Sequence, residues 1–280
     1  MIYLILSVIC NAMIGIVMRF SQGRVKGSHA MLSVNYIICL IAAAYDTGIS
    51  NVFTTQTGAG LTAVLGVITG LFFFLSLVYN QKAIASSGIV LSSILAKLGA
   101  LLIPLLISIA FFGEVPKTVQ VIGSVIAVAS IILMNYDKNQ TAPTGSVVTL
   151  LILLVVEGLA SSGSKVFGEL APEALSPNYL FWTFLSALTI CTSVVVKNKE
   201  KMGLSELVFG ALIGIPNFLG ARVTLLALKA IPAVIVYPVR SVGAIMITTL
   251  FGIVFFKEKL RKMQWVAMAA IIVALVLLNI

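Results

Sequence analysis

Apolar residues are grouped in ten segments along the chain, and short polar stretches separate them. Most segments are about as long as the roughly 20 residues that a helix needs to cross the hydrocarbon core of a bilayer. A helix satisfies its own backbone hydrogen bonds, so helices are the open-ended elements that can span lipid. We therefore predict ten transmembrane helices. They are placed at 1–20, 30–45, 60–79, 88–112, 117–136, 146–166, 177–196, 204–228, 233–256 and 262–279.

The chain contains part of its own pattern twice, at an offset of 144 residues. The sequence FFGE at 111–114, followed by Gln120, corresponds to FFKE at 255–258, followed by Gln264. The glutamate that ends each motif is interpreted as a structural residue at the membrane interface. Because one offset serves several separate matches, we interpret the two halves as internal repeats.

Two pairs of glycines follow the same offset. Gly66 and Gly70 lie in the third predicted helix, and Gly210 and Gly214 lie at the corresponding positions of the eighth. Small residues four positions apart allow the backbones of membrane helices to approach each other closely. The pairs therefore predict tight helix–helix contacts rather than a ligand site.

A polar linker divides the chain into two halves of five predicted helices each. We predict a first repeat over 1–136, the linker over 137–145 and a second repeat over 146–280. Five is an odd number, so the second repeat enters the membrane from the opposite side. The predicted fold class is an all-α integral membrane protein with ten transmembrane helices in two inverted five-helix repeats. Many secondary transporters have this architecture, with the substrate site between the repeats.

The composition excludes a soluble globular domain, because 60% of the 280 residues are hydrophobic and only 10% are charged. The net charge of +9 does not indicate nucleic-acid binding, since most lysines and arginines lie in short loops, where they set membrane orientation. Twelve of them lie on one side of the membrane and three, Lys117, Lys165 and Lys229, on the other. This bias predicts that the loops after helices 1, 3, 5, 7 and 9 are cytoplasmic, in a bacterial-type plasma (inner) membrane.

Two basic residues lie near the middle of apolar segments. Lys97 is near the middle of the fourth predicted helix, and Arg240 is near the middle of the ninth. A charge at that depth costs at least roughly 2.5–3.5 kcal/mol, so it usually marks a transport pathway or a binding site. We therefore take both residues as candidates for substrate binding.

The paired motifs and the ten-helix pattern resemble the drug/metabolite transporter superfamily, of the ten-helix type with two five-helix halves. The likeness covers nearly the whole chain and rests on FFGE with Gln120 and on FFKE with Gln264. It implies a membrane transporter, and these motifs identify the superfamily better than they identify a substrate.

A local likeness to the small multidrug resistance exporters bears on the site. The sequence MRFSQG at 18–23 is similar to the end of their first helix. In that family a buried glutamate, eight residues before the basic residue, binds the proton and the cationic drug in turn. Eight residues before Arg19 stands Asn11, whereas eight residues before Lys165 stands Glu157. The likeness therefore implies that the second half keeps the acid and the first half does not.

The same family places a tyrosine and then a tryptophan against the cationic drug. Tyr237 matches the tyrosine, but Arg240 stands where the tryptophan would be. A guanidinium repels a cation and is a good bidentate partner for carboxylate or phosphate. Away from their ends, the predicted spans hold three positive charges, on Lys97, Arg222 and Arg240, against one acid, Glu157. This excess favours an anionic or zwitterionic solute.

Several candidates have a structural alternative beside the functional one. Glu157 is a candidate for proton coupling or charge balance, and an ion pair with one of the two basic site residues is the alternative. Asn11 and Asn217 are candidate substrate-binding residues, and helix–helix hydrogen bonds are their alternative. Tyr237 either lines the cavity or packs in the core. Arg222, near the end of its helix, is expected to reach the interface.

We predict a secondary active transporter that moves a small polar metabolite, anionic or zwitterionic, by alternating access, with the proton as candidate coupling ion. Lys97 and Arg240 would hold the negative group of the solute, and Glu157 would couple to protons or balance charge. One alternative is an exporter of cationic or hydrophobic compounds by proton exchange. Another is a lipid flippase or a membrane scaffold that transports nothing.

The sequence shows no Ser–His–acid set, metal-ligand cluster or phosphate loop. We therefore predict no enzymatic activity, no cofactor and no metal site. The expected partners are a small-molecule solute and the lipid bilayer, without nucleic acid, and the chain is expected to act as a monomer or homodimer. Cys10, Cys39 and Cys191 lie in apolar segments and are expected to be inert packing residues.

Overall fold

The computed structural model describes residues 1–21, 23–87, 89–135, 147–256 and 262–278, and in these ranges the chain is almost entirely helical. The ten α-helices are α1 (Ile2–Ser21), α2 (Ser28–Thr47), α3 (Ala59–Ser87), α4 (Ile89–Phe112), α5 (Thr118–Asn135), α6 (Val147–Leu170), α7 (Ser176–Asn198), α8 (Leu204–Ala230), α9 (Ala233–Phe256) and α10 (Lys262–Leu278). Short 3-10 helices, Ile49–Asn51 and Glu173–Leu175, follow α2 and α6. The described ranges contain no strand.

Eight of these helices are long and apolar enough to cross a membrane, and α5 and α10 are apolar but shorter. The all-α integral membrane fold predicted from the sequence is therefore confirmed. The described helices also match the predicted segments in order. The bounds differ most in α3, which continues to Ser87 rather than ending at residue 79.

The chain forms two compact units, and each takes helices from both halves of the sequence. The first comprises Met1, Leu75–Lys165 and Ala230–Ile280, and we call it the α4/α9 unit. The second comprises Ile2–Phe74 and Val166–Lys229, and we call it the α2/α7 unit. The predicted repeats concern the sequence halves rather than these units, and their boundaries remain a prediction.

In the α4/α9 unit, helices α4, α5, α9 and α10 pack around a common apolar core. Its fully buried members include Leu101 on α4, Ile131 on α5 and Ile271 on α10. Gly123 lets α5 approach α10 closely, since a Cβ there would lie 3.0 Å from the side chain of Leu278. Lipid is as apolar as these side chains, so close packing rather than the hydrophobic effect holds the helices together.

Helix α6 approaches α4 through two further glycines. A Cβ on Gly99 would collide with the backbone of Leu154, and a Cβ on Gly158 would collide with the side chain of Ile103. Small residues at such a contact let the two backbones come together. The contact joins α4, which carries Lys97, to α6, which carries the candidate acid Glu157.

Replacing Gly158 with alanine is expected to destabilise the protein by about 1–3 kcal/mol, because the added methyl must displace Ile103 or separate the helices. Gly168→Ala is the matched control, since Gly168 lies on the same helix with open space around its Cα. The control should be neutral or stabilising, because alanine favours helix over glycine. The measurement is the unfolding temperature in detergent, and equal values for the two variants would contradict the close contact.

In the α2/α7 unit, the glycine pairs make the close contacts that the sequence predicts. Gly66 and Gly70 of α3 lie against α7, and Gly210 and Gly214 of α8 lie against α2. At each glycine an added Cβ would come under 3.0 Å from the neighbouring helix. The residues met on α7 lie 148 positions after those met on α2, so the two contacts correspond to each other.

Candidate functional site

Helix α6 places three polar groups on one face. They are the Glu157 side chain, the Ser161 carbonyl and the Lys165 side chain, each four residues after the one before. Residues i and i+4 of a helix lie on the same face, one turn apart. All three groups make contacts within the α4/α9 unit, two of them with α9.

The Glu157 carboxylate has two polar neighbours in this unit. The hydroxyl of Ser76, on α3, donates a hydrogen bond to it. The guanidinium of Arg240, on α9, acts on it electrostatically. An acid at membrane depth with a hydroxyl donor and a nearby cation can exchange a proton or balance charge.

Tyr237 lies one turn closer to the start of α9. It is 1% exposed, and its hydroxyl donates a hydrogen bond of 3.1 Å to the carbonyl of Ser161. In this conformation the ring packs between α6 and α9, which is the structural alternative to a place in the cavity wall.

Glu114, the glutamate of the first motif, joins the ends of α6 and α9. Its carboxylate lies 2.7 Å from the Nζ of Lys165. It also accepts hydrogen bonds from the backbone N–H groups of Ala233, at 3.0 Å, and Val234, at 3.2 Å. The first N–H groups of a helix have no intrahelical partner, and a negative charge there is favourable. Glu114 therefore has the structural role that the sequence analysis gives it, whereas its counterpart Glu258 lies outside the described residues.

The contacts between α6 and α9 are evenly spaced, and we call them the α6/α9 ladder. On α9 they lie at positions 233, 237 and 240, and on α6 their counterparts lie at 165, 161 and 157. Each step is about one helical turn. The opposite order of the numbers shows that the two helices run antiparallel here. Glu114 bridges the first step, and the last step brings the charge of Arg240 to Glu157.

Lys97 lies half-buried on α4, which packs against α9. In the part of the chain that the structure describes, no hydrogen bond or ion pair reaches its ammonium group. The structural alternative of an ion pair with Glu157 is therefore not formed in this conformation.

The two candidate asparagines belong to the α2/α7 unit. Asn217, on α8, donates a hydrogen bond of 3.1 Å to the side-chain oxygen of Asn35, on α2. Asn35 is 1% exposed, so this is the helix–helix hydrogen bond that forms the alternative for Asn217. Asn11, on α1, is half-buried, and no hydrogen bond reaches its side chain from the described residues.

Arg222 has two polar partners at helix ends. Its Nε lies 3.0 Å from the carboxylate of Asp46, near the end of α2, and its guanidinium also donates to the hydroxyl of Ser176, at the start of α7. Its charge is therefore balanced within the α2/α7 unit. It no longer counts toward an excess of positive charge in the spans.

Lys165 also changes the charge count. It was counted among the loop residues, although it stands at the end of the predicted segment 146–166. It lies within α6, is 6% exposed and pairs with Glu114. Among the described residues near the middle of the helices in the α4/α9 unit, two cations, Lys97 and Arg240, remain against one acid, Glu157. The positive excess is smaller than predicted but has the same sign.

Sequence reasoning missed Ser76 and Asn35. A serine in an apolar segment gives no signal, because its hydroxyl can donate to its own helix, as that of Ser130 does here. An asparagine in such a segment does give a signal, since an amide at membrane depth needs a partner. Asn35 could therefore have been found by the reasoning that selected Asn217.

Among the described residues, no three His, Cys, Asp or Glu side chains are grouped to hold a metal ion. Cys10, Cys39 and Cys191 are buried, and none of them forms a disulfide. The Cys39 thiol donates to the carbonyl oxygen of Gly214 at 3.3 Å, which places it at the contact between α2 and α8.

Comparison with known proteins relates the second half of the chain to a transporter family. Residues 148–280 match the EamA-like transporter family, which confirms the resemblance to the drug/metabolite transporter superfamily. A relative from Haemophilus influenzae, described as an uncharacterized protein, is 20% identical over 270 residues, covering 94% of this chain and 92% of the relative. A protein crystal structure with 15% sequence identity has a TM-score of 0.77, covering 99% of this chain and 94% of its own. At that identity the likeness to the solved structure shows the fold alone.

Proposed function

We propose that this chain, whose residues 148–280 match the EamA-like transporter family, is a membrane transporter of the drug/metabolite type that moves a small anionic or zwitterionic metabolite by alternating access. The observation that carries this proposal is Lys97, a cation at membrane depth without an ion-pair or hydrogen-bond partner in the described residues. A charge so placed costs at least roughly 2.5–3.5 kcal/mol. A carboxylate or phosphate of the solute would supply the missing negative group.

Arg240 is the proposed second contact to that negative group. Its planar guanidinium can bind carboxylate or phosphate through two parallel hydrogen bonds. Its charge already acts on Glu157, so an arriving anion would compete with this acid for the guanidinium. Protonation of Glu157 would favour the solute in that competition. This exchange gives a physical route to proton coupling.

Three further side chains are proposed to contact the solute. Asn11 and Asn217 are proposed as polar contacts for the solute, and Tyr237 as a contact in a conformation that opens the α6/α9 ladder. The alternative function, export of cationic or hydrophobic compounds at Glu157, has less support. The Tyr237 ring is 1% exposed and offers no face to a cation here, and Arg240 would repel one.

The proposed location is a bacterial-type plasma (inner) membrane, with the loops after α1, α3, α5, α7 and α9 in the cytoplasm. Contacts within each unit support this topology. Glu206, at the start of α8, accepts a hydrogen bond from the N–H of Lys26, so the connections after α1 and α7 share a side. Glu114, after α4, accepts one from the N–H of Ala233, so the connections after α4 and α8 also share a side. The basic residues are concentrated in the first group, as a cytoplasmic location requires.

A thermal-shift screen of the detergent-purified protein against a metabolite library, at two pH values, tests the proposed substrate class. A ligand that binds the folded state stabilises it by about 2.7 kcal/mol at 100 times its Kd. Carboxylates, phosphates or amino acids are expected to raise the unfolding temperature. Stabilisation by lipophilic cations instead would contradict the anionic site and support the exporter.

Replacing Lys97 with methionine is expected to change stability and binding in opposite directions. The empty protein should become more stable, because an uncompensated cation leaves the span and a flexible apolar side chain of similar length replaces it. Binding of the anionic solute should weaken about tenfold or more, because a charge-assisted hydrogen bond is lost. The thermal-shift assay measures both effects.

Lys82→Met is the matched control for this substitution. Lys82 is exposed on α3, with its Nζ 5.0 Å from the centre of the Tyr79 ring. The control should change neither the binding of the solute nor, by more than a small amount, the unfolding temperature. A Lys97 variant that is less stable than the wild type yet binds the solute normally would remove Lys97 from the site.

A further inference from the structure

Two connections of the α2/α7 unit are fastened together at one end of its helices. Glu206, on α8, accepts a hydrogen bond of 2.9 Å from the N–H of Lys26, in the connection between α1 and α2. Glu200, between α7 and α8, accepts one of 3.0 Å from the N–H of Ala30 and lies 2.6 Å from the ring of His29. The two connections therefore present one continuous surface.

Both carboxylates of this region are turned toward the protein. Glu206 is 5% exposed, and the side chain of Glu200 is 17% exposed. The sequence has no other acidic residue within 17–30 or 192–207. Because both acids form hydrogen bonds within the protein, the described part of this surface has no exposed carboxylate.

Exposed basic side chains cover the same surface, and we call them the basic surface. They are Arg24, Lys26, Lys197, Lys199 and Lys201. Within the described ranges, none of the five forms an ion pair with an acidic residue. Five cations without a neighbouring exposed acid form a strong positive field, which attracts an anionic partner.

Exposed apolar side chains lie among these cations. Val196, Met202 and Leu204 are 71%, 49% and 78% exposed. They lie where the candidate membrane spans of α7 and α8 end, which is the level of the lipid headgroups. A free phosphate would use only the cations. A phospholipid would use both sets, because its headgroup is anionic and its chains are apolar.

We propose that the basic surface binds anionic phospholipids of the leaflet that it faces. The lysine ammonium groups contact the headgroup phosphate, and Val196, Met202 and Leu204 contact the start of the acyl chains. Each lysine or arginine near an anionic membrane surface contributes about fivefold in affinity. The proposal does not depend on which solute the transporter carries.

Binding of phosphatidylglycerol and of phosphatidylcholine to the full chain in detergent, measured by native mass spectrometry, tests the proposal. The test variant removes three charges of the basic surface: K197Q/K199N/K201Q. Lys199 becomes asparagine because its φ of 51° lies in the left-handed region, which asparagine tolerates. The matched control removes three exposed lysines elsewhere: K82Q/K229Q/K262Q.

The wild type and the control are expected to prefer phosphatidylglycerol, and the test variant to lose at least about tenfold of that affinity, with phosphatidylcholine unchanged. Equal binding of the two lipids by the wild type, or an equal loss in both variants, would overturn the proposal. Complete displacement of the lipid by inorganic phosphate at equal concentration would do so as well, since it would indicate a free-phosphate site. If the test variant does not fold, R24Q/K26Q makes the same comparison on the other connection, and its result decides in the same way.

Discussion

Replacing Lys165 with methionine is expected to destabilise the protein by about 3–5 kcal/mol, because the change leaves the carboxylate of Glu114 buried without its ion-pair partner. The two side chains are only 8% and 14% exposed, so water can compensate little of the loss. The ring of Phe112, 5.7 Å from the lysine Nζ, further shields the pair. The measurement is the free energy of unfolding in mixed micelles.

The ion pair also connects α6 to α9 at the end of the α6/α9 ladder. Replacing Glu114 should therefore lower the free energy of unfolding by as much as replacing Lys165. Glu114→Gln removes the carboxylate that pairs with Lys165 and offers one amide oxygen where two carboxylate oxygens met the N–H groups of α9. The double variant E114Q/K165M removes both charges, so its loss should be smaller than the sum of the single losses. A coupling energy of at least about 2 kcal/mol is expected for groups in one such network. Additive losses would contradict a coupled pair.

Lys229→Met is the matched control for the Lys165 substitution. Lys229 pairs with Glu173, but the two side chains are 33% and 68% exposed. Exposed ion pairs contribute about 0–1 kcal/mol, since water replaces them at little cost. A loss in this control as large as that at Lys165 would show that burial does not set the strength of the Glu114 pair.

The helices of this protein were predictable because their causes are local. An apolar stretch of about 20 residues must satisfy its own backbone in lipid, and both properties can be read from adjacent residues. The glycine pairs were predictable for the same reason, because spacing along one helix already implies a close contact. The partner helices were not predictable, since α3 meets α7 and α8 meets α2 across the two halves of the sequence.

The residues of the candidate site were predictable only where placing the side chain at membrane depth has a large free-energy cost of its own. Lys97, Arg240 and Glu157 were found because a charge at membrane depth needs a reason wherever its partner lies. Ser76 was not found, because a hydroxyl costs little and its bond to Glu157 spans 81 residues of sequence. The balance of Arg222 by Asp46 was missed for a related reason, since a charge count cannot show which charges meet.

Replacing Glu157 with glutamine is expected to abolish accumulation of the solute driven by a pH gradient, while exchange of solute between the two sides of the membrane continues. Glutamine keeps the size of the side chain and an oxygen that can accept the hydrogen bond of Ser76. It cannot bind or release a proton, and it carries no charge toward Arg240. The coupling step is therefore removed. The site for the anion remains, and Arg240 can bind the anion without competition from a charged Glu157.

Proteoliposomes that contain the purified protein separate these outcomes. The solute is the anion that most stabilises the wild type. Its uptake is measured with a pH gradient as the driving force, and its exchange across the membrane is measured separately without a gradient. Ser76→Ala is the control, because it removes the hydroxyl donor and keeps the acid, and it should retain coupled uptake. Loss of both uptake and exchange in a folded Glu157→Gln protein would make this acid a structural partner of Arg240. Undiminished uptake would place the coupling proton on another group, because glutamine at position 157 cannot bind or release one.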